Sequence, residues 1–368
     1  MDPALFQENE RLTPKADERR FVDIGALECE RGGRLANVTV AYQTWGTLSE
    51  SKDNAVLVCH ALTGDSNAAG WWDRLVGEGK AIDTARYFVV CTNSLGGCRG
   101  TTGPSHLAED SRPWGSRFPE ITIGDTVEGM RRALSAIGIE RLHAAAGGSM
   151  GGMQILDWTV RHPGEIRKAW LTASCAAHNA NQIGFNEAQR QAILRDPKWL
   201  GGDYPPDDPP VGGLAVSRMI AHLMFLSEAA LESKFGRRLQ ERGTDGAKGP
   251  GIGPSTFDPR SQFQVESYLE YQGEKFTKRF DANSFIWLTR AMNAWSVESL
   301  EGSTTEYLLT SFTSDRLYPP HQSERLHQMA EEAGCKSRWV NIDLPYGHDA
   351  FLLDEGEQGE AVKRLLEP

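Results

Sequence analysis

The pentapeptide Gly147-Gly148-Ser149-Met150-Gly151 constrains this chain more than any other segment. It matches G-x-S-x-G, in which a serine occupies a strained turn between a strand and a helix. Small residues on either side let the turn close and push the hydroxyl into an open cleft. The pattern alone also arises by chance, so its flanks decide. Leu142 to Ala146 is a short apolar run ending at the glycines, and Met153 to Val160 continues with helix-compatible spacing. Strand, elbow and helix in that order are what the motif requires, which makes Ser149 the candidate nucleophile. The alternative is an ordinary strand-to-helix turn with an incidental serine.

Such a turn needs a sheet to stand on, and the surrounding sequence supplies one. Val38 to Tyr42 alternates, while Ala55 to Cys59 and Tyr87 to Cys91 are continuous apolar runs suited to strands buried on both faces. Asp125 to Ile137 reads as the helix before the nucleophile strand, and Ala169 to Ala173 as the strand after it. Alternating buried strands and helices predict an α/β fold with a mainly parallel sheet. From His178 to Val297 the pattern turns helical: Asn186 to Leu194, Leu214 to Phe225, Ala229 to Leu239, Val265 to Phe276 and Ser284 to Ala294. Two loops rich in glycine, proline and aspartate, Gly201 to Gly213 and Gly243 to Pro259, interrupt it. The second holds Lys248 without the spacing of a phosphate-binding loop. Strand character returns at Tyr307 to Thr310 and Trp339 to Ile342, and a helix from Glu360 to Leu366 closes the chain. The expected organisation is a core of residues 1–177 and 299–368 interrupted by a helical insertion, 178–298.

Length and composition narrow the class of protein. With 368 residues, 39% hydrophobic and 24% charged, the chain can bury a large core and is not of a disordered type. A net charge of -11 without a long basic run argues against nucleic acid as the main partner. Met1-Asp2-Pro3-Ala4 does not open a signal peptide, and no apolar run approaches the roughly 20 residues that span a membrane. The six cysteines are scattered with no C-x-x-C pair, as expected for thiols in a reducing compartment, and no metal site is expected.

A serine hydroxyl is a poor nucleophile at neutral pH. It needs a general base, and the base needs a carboxylate to orient it. The chain order Ser, then Asp or Glu, then His points to Asp315 in Thr313 to Pro319 and to His348 in Tyr346 to Phe351. Both follow strands. Asp343, also beside the last strand, competes with Asp315 as the orienting carboxylate. The expected oxyanion donors are the N–H of Met150, next to the nucleophile, and that of Leu62, where the chain leaves the Ala55 to Cys59 strand. His60, at that strand end, reads as a structural hydrogen-bonding group. Trp71-Trp72 and the Gly96 to Pro104 loop read as architecture more than as pocket walls.

Several separated blocks then carry a resemblance. His60-Ala61-Leu62-Thr63-Gly64-Asp65, Gly70-Trp71-Trp72, Asn93-Ser94-Leu95-Gly96-Gly97-Cys98 and Gly100-Thr101-Thr102-Gly103-Pro104 resemble the homoserine O-acetyltransferase family. So do the elbow block through Gln154, Arg218-Met219-Ile220, Lys234-Phe235-Gly236-Arg237 and Gly347-His348-Asp349-Ala350-Phe351-Leu352. The resemblance implies an α/β-hydrolase core and a helical lid that also pairs two subunits as a homodimer in the cytoplasm. It implies acyl transfer from acetyl-CoA, a substrate and not a resident cofactor, to the hydroxyl of L-homoserine. By position, Ser149, Asp315 and His348 form the triad, Arg218 holds the acceptor's carboxylate and Asp349 its ammonium. A guanidinium fork suits the first task and an acid beside the histidine the second. At Met224-Phe225-Leu226 the chain departs from the family, which carries a tyrosine there. Succinyl-CoA as donor, serine as acceptor, and a carboxylesterase using the same triad are the alternatives.

Overall fold

The computed structural model describes residues 19–240 and 263–367. Met1 to Ala4 and the Gly243 to Pro259 loop therefore lie outside the described residues. The main sheet has eight strands: β1 (Arg20–Asp23), β2 (Thr39–Trp45), β3 (Ala55–Cys59), β4 (Phe88–Thr92), β5 (Leu142–Gly148), β6 (Ile166–Thr172), β7 (Glu306–Phe312) and β8 (Ser337–Ile342). Their spatial order is β1-β2-β4-β3-β5-β6-β7-β8. β1 and β4 run antiparallel to β2, and every other neighbouring pair is parallel. The chain leaves β3 to build β4 on one side and returns to build β5 on the other. That reversal opens a crevice at the carboxyl ends of β3 and β5, where open α/β sheets place their ligands.

Residues in β3 are buried throughout because helices cover both faces. On one face α1 (Ile123–Ala136) and α2 (Met150–Arg161) pack on Leu57, Ala145 and Leu171. On the other, α9 (Glu357–Leu366) places Val362 and Leu366 in the cluster around Trp72 and Trp170. α1 begins with a reciprocal capping box between Thr122 and Asp125. The helix α8 (Pro320–Glu332) was not evident from periodicity, and its start has Pro320 at the first helical position.

Between β6 and β7 lie α3 (Ala180–Leu194), α4 (Val211–Phe225), α5 (Glu228–Lys234), α6 (Gln264–Thr277) and α7 (Ala282–Ala294). α3 starts earlier than its hydrophobic pattern predicts, because Asn179 and Gln182 form a capping box. α5 stops short of the expected Leu239, since Gly236 turns to φ 50° and Leu239 instead bridges Phe263. A neck closes this helical segment where Val297 N–H donates to Ala176 O (2.9 Å) and Ala177 bridges Ser296. Among the described residues no single helix is long and apolar enough to cross a membrane.

Two glycines are dictated by packing at the β5–α2 turn. A Cβ on Gly151 would fall on the Cys59 carbonyl oxygen, and one on Gly147 would lie 2.7 Å from the Gly151 carbonyl carbon. The expected outcome for Gly151→Ala is a loss of about 1–3 kcal/mol, as for other overpacked cores, read as a lowered midpoint in thermal or urea unfolding.

Candidate active site

Ser149 sits between β5 and α2 with φ 55° and ψ -121°, outside the regions that L-residues populate freely. Its N–H donates to Thr172 O (3.1 Å), and Ser174 Oγ donates to its carbonyl (2.8 Å), so the neighbouring strand end fixes the turn. Met150 opens α2, and its N–H is among the donors that a helix start leaves without intrahelical partners. The Leu62 loop leaves β3, whose Cys59 is in register with Gly147 of β5, so Leu62 and Ser149 line one cavity.

Asp315 follows β7 and is buried. Its Oδ1 accepts from Leu317 N (2.8 Å) and Tyr318 N (2.9 Å), while Oδ2 accepts from His348 Nδ1 (2.8 Å). Two backbone donors hold the carboxylate so that its second oxygen must face the imidazole. The competing Asp343 is exposed and accepts from Thr313 Oγ1 at 2.7 Å. His348 lies in a single turn of 3-10 helix, Gly347–Asp349, with Nε2 left over for the cavity side. Tyr318, Phe225 and Phe351 surround its ring at centroid distances of 5.0, 5.8 and 5.3 Å. That apolar collar keeps water from competing for the His348–Asp315 hydrogen bond.

The cavity over these groups has a volume of about 400 Å³ and also takes Arg218, Phe225, Tyr268, Arg279 and Asp349 into its wall. Arg218, on α4, is buried. Its guanidinium lies over Phe276 (4.9 Å) and Phe225 (5.7 Å), and Nη1 meets Thr63 Oγ1 at 3.5 Å. Asp349 is half-buried on the cavity wall and makes no capping hydrogen bond to the following turn, Ala350–Leu353.

His60 is a brace for the Leu62 loop. Its Nδ1 donates to Ala61 O (2.7 Å) and its Nε2 accepts from Ser94 N (3.0 Å), while burial pushes its pKa down. The two tryptophans divide the expected role. Trp72 is fully buried, stacked on Trp170 at 4.8 Å and donating to Phe351 O (2.9 Å), whereas Trp71 lines the cavity. In the Gly96 to Pro104 loop, Thr101 and Thr102 accept from the β2 amides of Ala41 (2.9 Å) and Thr39 (3.0 Å), which ties the loop to the sheet.

Sequence reasoning missed the polar end of the cavity. Gln182, Asn186 and Gln189 reach it at helical spacing along one face of α3, His178 reaches it from just before that helix, and Tyr318 projects from the loop that holds Asp315. The signal was present as polar residues at helical spacing, and Gln182, Asn186 and Gln189 are among the residues that this otherwise partly exposed helix buries. Burial pushes the His178 pKa down, and burial followed by the nearby Cys175 raises the Tyr318 phenol well above its ordinary value. Among the described residues no group of His, Cys, Asp and Glu is arranged to hold a metal.

A serine on a strained strand-to-helix turn, with a carboxylate-held histidine at the ends of later parallel strands, defines an α/β hydrolase. The profile of the alpha/beta hydrolase fold family matches residues 54–355, and the chain belongs to that family. A homoserine O-acetyltransferase of Solidesulfovibrio magneticus is 44% identical over 375 residues, spanning 95% of this chain and 92% of that one. Within the α/β hydrolases the chain belongs to the homoserine O-acetyltransferase family. The crystal structure of the homoserine O-acetyltransferase from Bacillus anthracis shares the fold with a TM-score of 0.86 at 24% identity, covering 95% of this chain and 97% of that one. Esterase E22 superposes with a TM-score of 0.85 at 26% identity, covering 95% of this chain and all of its own.

If the Asp315 contact orients the base, Asp315→Asn presents the wrong imidazole tautomer and lowers the steady-state rate on the order of 10⁴-fold, as in the general triad case. Asp343→Asn, by contrast, stays within about twofold of the parent, as for surface substitutions. The comparison requires only one assay and a circular dichroism check of both variants.

Proposed function

We propose that this chain transfers the acetyl group of acetyl-CoA to the hydroxyl of L-homoserine, giving O-acetyl-L-homoserine for methionine synthesis. The observation that carries the reading is the placement of Ser149, His348, Arg218 and Asp349 on the wall of one cavity, with Asp315 hydrogen-bonded behind the histidine. The likeness to named homoserine O-acetyltransferases supports the choice of donor and acceptor.

In the first half-reaction Ser149 Oγ attacks the thioester carbon while its proton passes to His348 Nε2. The tetrahedral oxyanion is stabilised by the N–H groups of Leu62 and Met150. Collapse breaks the C–S bond, and the proton on His348 leaves with the thiolate as coenzyme A. In the second half-reaction His348 takes the proton of the acceptor hydroxyl, whose oxygen attacks the acyl-serine. Breakage of the Ser149 ester bond releases the product and returns the proton to Ser149. No resident cofactor is required.

Arg218 pairs with the acceptor's carboxylate and Asp349 with its ammonium. The two charges stand in one wall about the nucleophile, which fixes an amino acid with its side-chain hydroxyl inward. Phe225 offers only a ring face where the family carries a hydroxyl, so acceptor recognition here relies on the charged ends. Residues 178–298 act as the lid, and narrowing the entrance disfavours water against the acceptor. A matrix of acetyl-CoA and succinyl-CoA against homoserine and serine, read by thiol release, tests the assignment. Turnover without any acceptor would instead make the protein a hydrolase.

Arg218→Leu removes a charge-assisted contact of roughly 1.5–3 kcal/mol, about ten- to more than a hundredfold in the acceptor step. Acetylation of Ser149 by acetyl-CoA alone, followed by intact-mass spectrometry, is expected to stay near the parent rate. Equal loss in both steps would move the arginine to the donor site or to the fold.

The lid is also the surface assigned to a homodimer in the cytoplasm. Val216 and Leu223 are 45% and 48% exposed, and they stand seven residues apart on one face of α4. Leu223→Asp is expected to shift the protein from dimer to monomer in sedimentation velocity. An unchanged dimer would place the interface elsewhere.

A further inference from the structure

Leu62 stands in the wall of the cavity that holds Ser149, and its N–H has no acceptor among the described residues. The direction of that N–H is set on the other side of its own peptide unit. The Ala61–Leu62 unit is trans and planar, so its C=O and N–H point to opposite sides, and whatever grips the Ala61 carbonyl aims the Leu62 N–H. Two donors grip it: Gly64 N–H at 2.8 Å, which closes a turn, and His60 Nδ1 at 2.7 Å. The turn wraps closely on this side chain, since a Cβ on Gly64 would lie 2.8 Å from the His60 Cβ.

The imidazole cannot reverse its polarity. Ser94 N–H only donates, so its 3.0 Å contact requires a lone pair on His60 Nε2. The single proton of the neutral ring then sits on Nδ1, facing the Ala61 oxygen. Burial pushes the His60 pKa down and so keeps the ring neutral. Ser94 Oγ lies 3.2 Å from the same Nε2 and accepts from Gln154 Nε2 at 2.9 Å. Gln154 stands on α2, one turn beyond Met150. The ring that grips the Leu62 peptide is thereby tied to the helix that presents the Met150 N–H.

We propose that His60 is a positioning residue for catalysis, which aims the Leu62 N–H at the tetrahedral oxyanion by holding the Ala61 carbonyl from behind. The inference rests on the reading of Leu62 N–H as an oxyanion donor. His60 neither gains nor loses a proton, and the Ser149 proton passes to His348 as described above. Negative charge develops on the same acetyl oxygen in both half-reactions, so a misdirected donor slows acylation and transfer by the same factor.

Two amide side chains separate the two ends of the ring. His60→Asn can keep a donor near the Nδ1 position and gives up the acceptor for Ser94, whereas His60→Gln can keep the acceptor near Nε2 and gives up the donor to Ala61. Thiol release from acetyl-CoA without acceptor reports acylation, and a homoserine chase of the acetyl-enzyme reports transfer. His60→Leu is expected to lower both rates about ten- to a hundredfold, short of the 10²–10³ lost with an entire oxyanion donor. Homoserine KM and the pH midpoint of acylation should stay at the parent values. His60→Asn should recover most of the loss and His60→Gln little of it. Parent-like acylation by His60→Leu overturns the proposal, as does equal recovery by Asn and Gln or a loss confined to one half-reaction. A shifted pH midpoint overturns it too, by making His60 a proton carrier. Should His60→Leu fail to fold, the contrast between Asn and Gln decides alone. The underlying reading is tested separately by a crystal structure of the enzyme phosphonylated on Ser149, with the phosphoryl oxygen expected at hydrogen-bond distance from Leu62 N and Met150 N. An oxygen turned to other donors overturns the oxyanion reading itself, whereas one on Leu62 N beside parent-like His60 variants overturns the positioning role alone.

Discussion

The backbone of Ser149 is held at φ 55° by three strand ends at once, and the remaining geometry follows from that clamp. Thr172 takes its N–H, Ser174 donates to its carbonyl, and Gly151 lets the first turn of α2 press against the Cys59 carbonyl. A non-glycine residue in such a conformation costs about 1–3 kcal/mol and persists only where its surroundings over-determine it. Here they do, because β3, β5 and β6 are the middle of the sheet and are covered on both faces. The strained turn lifts the hydroxyl clear of the sheet, and the crevice between β3 and β5 lies directly above it.

The carboxylate and imidazole reach this point from the other side of the sheet, on loops after β7 and β8. Their alignment depends less on their own hydrogen bond than on what surrounds it. Leu317 and Tyr318 amides occupy one oxygen of Asp315, so the other cannot turn away from His348. The aromatic collar around the imidazole keeps that bond in a low-dielectric setting, where it is strong and where an unpaired group would be costly. The helical segment completes the cavity wall with Arg218 on α4 and polar side chains on α3, so a cation and a polar end stand on the same helices.

Much of the fold was legible because it is encoded locally. The apolar runs of β3, β4 and β6 and the helices α4, α6 and α7 appear near their observed bounds, since burial on both faces demands unbroken apolar strands and an amphipathic helix repeats every turn. Strand β1 at the sheet edge and helix α8 were not legible. Arg20 to Asp23 is mostly exposed and carries no alternation, and α8 has a polar sequence that packs through a few residues such as Leu326 and Met329. At the far end of α5 the pattern of Ala229 to Leu239 continued past Gly236, where only the glycine's positive φ broke it.

The sequence by itself determined the elbow, because strand, turn and helix are contiguous and the glycine requirement is written into adjacent positions. It also narrowed the other two members to short loops after the last strands. Tertiary structure alone decided which carboxylate faces His348: Asp315 and Asp343 both follow strands, and only backbone amides of the β7–α8 loop turn one inward. It alone brought the Tyr318 hydroxyl to His178 Nε2 at 2.8 Å, 140 positions apart in the chain, with the same ring stacked on His348. Contacts of that kind depend on how the helical segment packs on the sheet, a long-range arrangement that leaves no periodic trace in the residues that make them.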